Sequence, residues 1–129
     1  MSDRNILVVE DDAGIRAVTK FSLEDDGWQV IVACGAKEGL AKAKQLEPNV
    51  ILCDLVMPNI NGFELIKELQ SDRTTRNIPV ILFTAKSINE ELTELQNNDN
   101  VLGMITKPFD TLNLTTEILN ILNKSASNS

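Results

Sequence analysis

Histidine is absent from this 129-residue chain, and cysteine occurs only twice, at Cys34 and Cys53. The first absence removes histidine-based acid–base and metal chemistry from anything the chain does alone. The second leaves no disulfide framework: both cysteines fall in strand-like runs without metal-ligand spacing, so two reduced, packed thiols are expected. Long apolar runs are missing too. None approaches the ~20 residues of a membrane span, and MSDRNILVVEDD has neither a secretory apolar region nor a cleavage site, so a cytoplasmic protein is expected. Basic clusters are likewise lacking. With a formal charge of −7, the long-range field opposes a polyanion, which argues against direct nucleic-acid binding.

What is present reads as one domain. The apolar fraction of 43% is that of an ordinary globular protein. There are no internal repeats, and only NKSASNS is low in complexity, so 4–124 is expected to be the domain and 125–129 a disordered polar tail.

Short apolar, β-branched runs alternate with longer helical patterns. NILVV (5–9), WQVIVA (28–33), VILCD (50–54), PVILFT (79–84) and LGMIT (102–106) read as strands, several of them apolar at successive positions, as in strands covered on both faces. Residues 13–26, 36–46, 62–71, 87–97 and 111–123 carry helical spacing, with stripes Ile15, Val18 and Phe21 or Ser22; Leu40, Ala43 and Leu46; and Leu114, Ile118, Ile121 and Leu122. Asp12 and either Asp110 or Thr111 suit helix N-caps, Gly27 follows the first helix, and Pro48 closes the second. Five β–α repeats predict a three-layer, doubly wound α/β fold on a five-stranded parallel sheet. The working crevice of such a sheet lies at the carboxyl ends of its strands.

Those ends carry Glu10, Asp11 and Asp12 after the first strand, Asp54 after the third, Thr84 at the end of the fourth and Lys107 after the fifth. Singly each has an ordinary explanation: a solvated capping loop, a strand end, a surface cation. Asp54 is the hardest to explain so, because a carboxylate ending a buried strand is costly unless paired. Carboxylates ~5 Å apart repel by roughly 3 kcal/mol at an effective dielectric near 20, and a divalent cation turns that penalty into binding energy. Oxygen ligands suit magnesium better than zinc. A lysine and a hydroxyl beside such a site leave Asp54 as a carboxylate able to attack phosphorus.

ILVVEDD…IR, VILCDLVMPNINGFEL, PVILFTA and KPF, in this order and spacing, resemble the receiver domain of two-component response regulators over residues 4–123. The resemblance implies a sheet order of 2-1-3-4-5 and a phosphorylation-controlled signalling switch that turns over no external substrate. It implies Asp54 as acceptor of a phosphoryl group from a phosphohistidine on a sensor kinase or phosphotransfer protein. It implies Mg²⁺ held by Asp11, Asp54 and the backbone carbonyl of Val56, with Glu10 acting through a water on the ion. Thr84 and Lys107 would contact the phosphoryl group. Asp12 fits a helix cap better than a ligand. A downstream protein would read the face formed by the fourth helical segment, the fifth strand and the last helix.

Two departures stand out. The switch position three before Lys107, usually aromatic in the family, is Met104, whose flexible thioether packs in either arrangement with little difference in energy. ELQNNDNVLG (94–103) replaces an Ala- and Gly-rich helix end with turn formers, so the fourth helix is expected to stop near Gln96. Among other readings, a flavin carrier needs a neutral phosphate cradle where EDDAG stands. A haloacid-dehalogenase-like phosphatase expects an acid where Val56 stands. A receiver fold acting as a scaffold without phosphorylation is the alternative that remains.

Overall fold

A computed structural model describes residues 4–54, 56–57, 60–84, 101–106 and 113–127. The elements run β1 (Asn5–Val9), α1 (Ala13–Asp25), β2 (Gln29–Ala33), α2 (Ala36–Leu46), β3 (Val50–Cys53), β4 (Val56–Met57), β5 (Ile60–Asn61), α3 (Gly62–Ser71), β6 (Val80–Thr84), β7 (Val101–Thr106) and α4 (Leu114–Ser127). Five strands form one parallel sheet in the order β2-β1-β3-β6-β7, which is the expected 2-1-3-4-5 arrangement.

The uninterrupted apolar runs are explained by two cores, one on each face. Leu7 and Val9 of β1, Ile51 and Cys53 of β3 and Leu82 of β6 pack with Ala43 of α2 and Leu65, Ile66 and Leu69 of α3. The alternate residues, Ile6, Val8, Val50, Leu52, Ile81 and Phe83, pack with Leu23 of α1 and with Leu114 and Ile118 of α4. Successive strand residues point to opposite faces, so a strand covered twice has no polar position to spare.

Local signals set the helix ends. Asp12 caps α1, its Oδ1 accepting from the Ile15 amide at 2.9 Å. At the other end Gly27, at φ 93°, takes the left-handed turn, while the amides of Trp28 and Gly27 donate to the carbonyls of Leu23 and Glu24. Helix α2 ends on Glu47 in the left-handed region at φ 43°, directly before Pro48. The indole Nε1 of Trp28 then donates to Thr115 Oγ1 at 3.2 Å, tying the start of β2 to α4.

Several expectations are corrected. The α1 stripe is right only in part: Ile15 packs against the core and Ser22 is half-buried, but Val18 and Phe21 are 49% and 74% exposed, and the fully buried residues are Thr19 and Leu23. Thr19 tolerates burial because its hydroxyl donates to the Ile15 carbonyl at 2.7 Å. Leu46 is also half-exposed. Cys34 is exposed just beyond β2, and only Cys53 is packed. Helix α4 begins at Leu114, with the Asn113 carbonyl accepting its first bond from Glu117, and continues to Ser127 through part of the stretch read as a tail. The expected helix at 87–97 and the caps at Asp110 and Thr111 lie outside the described residues.

Candidate functional site

The chain leaves β1 toward β2 on one side and returns through β3 on the other, so the sheet order reverses between β1 and β3. Val9 and Cys53 are the last register partners of that pair. The residues that follow them, Glu10 and Asp54, therefore leave the sheet side by side. Their amides still belong to it: Glu10 donates to the carbonyl of Ala33 and Asp54 to that of Val9, each at 3.0 Å.

Glu10 is 1% and Asp54 3% exposed, while Asp11 is half-buried. One carboxylate oxygen from each of the three lies within 4.8 Å of the other two. Glu10 Oε2 also accepts from the Asp12 amide at 3.2 Å. Asp12 itself is engaged as the cap of α1, which matches its expected role.

The negative field of this cluster registers on its neighbour. The Cys53 thiol is pushed up to about 12, first by burial and then by the charges of Asp54 and Glu10. It stays protonated at neutral pH, donating to the Asp54 carbonyl at 3.4 Å, and is no nucleophile.

All three donors are carboxylate oxygens and the chain has no histidine. Such a set fits a hard divalent cation, magnesium above zinc.

Directly behind Asp54 the chain forms a minimal antiparallel ladder that the sequence reading missed: Val56 pairs with Asn61 and Met57 with Ile60. It fixes the Val56 backbone before α3 starts at Gly62. Thr84 ends β6 in register with Thr106, the last residue of β7. Lys107, next in sequence, lies outside the described residues. Met104 pairs with Leu82 and is half-buried against the core that holds α2 and α3. Arg16, which closes the ILVVEDD…IR block but was given no role from sequence, reaches back from α1: its Nη1 donates to the carbonyls of Glu10 at 2.9 Å and Asp11 at 3.3 Å.

The sequence and the fold have counterparts among known proteins. The family model described as "Response regulator receiver domain" matches residues 6–119. The phosphate regulon transcriptional regulatory protein PhoB of Escherichia coli is 34% identical over 128 residues, covering 94% of this chain and 52% of the relative. The chain thus spans about half the length of such curated relatives. An uncharacterised 14.6 kDa protein of Leptolyngbya boryana is 35% identical over 114 residues, covering 88% of this chain and 86% of the relative. Among solved structures, a CheY-like receiver domain protein of Methanospirillum hungatei superposes with a TM-score of 0.84 at 30% identity, covering 99% of this chain and all of that one.

Proposed function

The chain belongs to the response regulator receiver domain family, and on that premise we propose that Asp54 accepts a phosphoryl group from a phosphohistidine of a sensor kinase or phosphotransfer protein. The observation that carries this reading is the placement of Asp54: buried, at the end of β3, with carboxylate oxygens of Glu10 and Asp11 within 4.8 Å.

In this reading a carboxylate oxygen of Asp54 attacks phosphorus, the P–N bond breaks, and its electron pair stays on the donor imidazole. Asp11, Asp54 and the Val56 carbonyl would hold Mg²⁺, with Glu10 acting through a water on the ion. The ion, when bound, offsets the charge of the acids and of the incoming phosphoryl oxygens. The Thr84 hydroxyl and the Lys107 ammonium take the phosphoryl group's remaining oxygens, with Lys107 supplying a compact positive charge. Val56, two after the acceptor, is apolar and cannot orient a water toward the acyl phosphate, so the modified state lasts long enough to be read. Met104 on β7 takes part in the change of surface that follows. The output is binding of another protein through the face that includes β7 and α4, in the cytoplasm. Among the described residues no helix is long and apolar enough to cross a membrane.

The test is intact mass after incubation with a small phosphodonor such as acetyl phosphate, with and without Mg²⁺. The parent is expected to gain one phosphoryl group only with Mg²⁺, and Asp54→Ala none. No gain in the parent would favour the scaffold reading.

A further inference from the structure

The turn from β1 to α1, residues 10–12, carries two of the three clustered acids, and a single residue serves all of its carbonyls. The Arg16 backbone amide donates to the carbonyl of Asp12 at 2.9 Å. Its side-chain Nη1 donates to the carbonyls of Glu10 at 2.9 Å and Asp11 at 3.3 Å. Helix formation accounts for the first of these bonds but not for the other two. A guanidinium at the start of a helix sits at the positive end of the macrodipole, where cations are disfavoured, so helix stability does not account for an arginine there. Its half-buried place is accounted for by what it binds: two carbonyls that the turn directs away from the sheet ladder, beside a cluster of negative charge.

We infer that Arg16 is a positioning residue of this site: by clamping the carbonyls of Glu10 and Asp11 it fixes the turn from which both carboxylates approach Asp54, and so sets the affinity for a divalent cation. The inference rests on the cation reading given above. Charge and geometry act in opposite directions here. Removing a positive charge beside a cation site strengthens cation binding by Coulomb's law. Releasing the turn weakens it, because ligands that lose their orienting partners commonly lose about tenfold or more in metal affinity. The clamp outweighs the charge only if Arg16 acts through the backbone it holds.

Calorimetric titration of the metal-free protein with MgCl₂ tests this without any phosphorylation step. Arg16→Met is expected to bind Mg²⁺ about tenfold or more weakly than the parent. Lys20→Met, which removes the same charge from an exposed position on α1, is expected to bind no more weakly than the parent. Amide NMR shifts of residues 10–12 in the metal-free state are expected to move in Arg16→Met and to stay in place in Lys20→Met. Should Arg16→Met not fold, Arg16→Lys, which keeps the charge but ends one bond short of the Nη1 that makes both contacts, is expected to show the same weakening. Equal or tighter binding in the Arg16 variants, with a parent that binds, overturns the inference and leaves the cation reading intact. A parent that takes up no Mg²⁺ overturns the cation reading and the inference with it.

Discussion

The amide of Asp54 donates to the carbonyl of Val9 at 3.0 Å, one rung beyond the last register pair of β1 and β3. The acid is thus anchored by the sheet and placed at its edge. A backbone bonded on this side and followed by the Val56–Asn61 ladder has little freedom to withdraw the carboxylate. Such a fixed carboxylate loses little further entropy when a reacting group arrives.

Gly103 of β7 packs against α4 so closely that an added methyl would lie 2.9 Å from Ile121 Cγ2 and 3.1 Å from its Cδ1. Gly103→Ala is expected to cost about 1–3 kcal/mol in urea unfolding. The cost should shrink when Ile121 is also cut to Ala, and an equal cost in both backgrounds contradicts the contact.

On α1 the buried line and the apolar residues do not coincide. Leu23→Ala, at a fully buried position, is expected to lose about 2–5 kcal/mol. Phe21→Ala, at 74% exposure, should change stability by no more than about 0.5 kcal/mol. Denaturant midpoints that rank the two the other way round would restore the stripe read from the sequence.

Glu38 is held at about 2, chiefly by the Cys34 amide at 2.8 Å, then by the Cys34 thiol at 3.1 Å and Lys42 at 3.0 Å. A carboxylate whose folded value is depressed stabilises the protein above its unfolded value of 4.5 and loses that contribution as pH falls toward about 2. Its side chain is 42% exposed, so screening limits the effect to about 1 kcal/mol or less. Glu38→Gln should flatten the stability profile between those two pH values and leave it nearly unchanged below them. A parallel offset of the whole profile would contradict the assignment.

Met104, paired with Leu82 and half-buried, is flexible enough to fill either of two arrangements. Phosphorylation is therefore expected to alter partner affinity only weakly in the parent and more strongly in Met104→Tyr. Equal ratios of phosphorylated to unphosphorylated affinity in the two proteins remove the idea.

Much of this was legible in the sequence, for identifiable reasons. β1, α2 and α3 match their expected bounds residue for residue, because each sits between a strong stop signal and a change of hydrophobic period. The gathering of Glu10, Asp11 and Asp54 followed from the fold class, which puts the ends of β1 and β3 next to each other. The two-residue ladder behind Asp54 was not legible, since two residues a side are too few to carry an alternation. Thr19 was hidden because an internal hydroxyl bond makes a polar residue suitable for burial. Arg16 stood in the ILVVEDD…IR block, but its role was hidden because its partners are backbone carbonyls, which composition does not mark. The contribution of Lys107 and of 87–97 lies outside the described residues.

The most direct measurement is borohydride reduction of the phosphorylated protein followed by peptide mapping, because an acyl phosphate on aspartate is reduced to homoserine. The account expects homoserine at position 54 alone, formed only when Mg²⁺ was present during phosphorylation. Homoserine at position 11 or 12, reduction of Glu10 in place of Asp54, or an unmodified chain would contradict it.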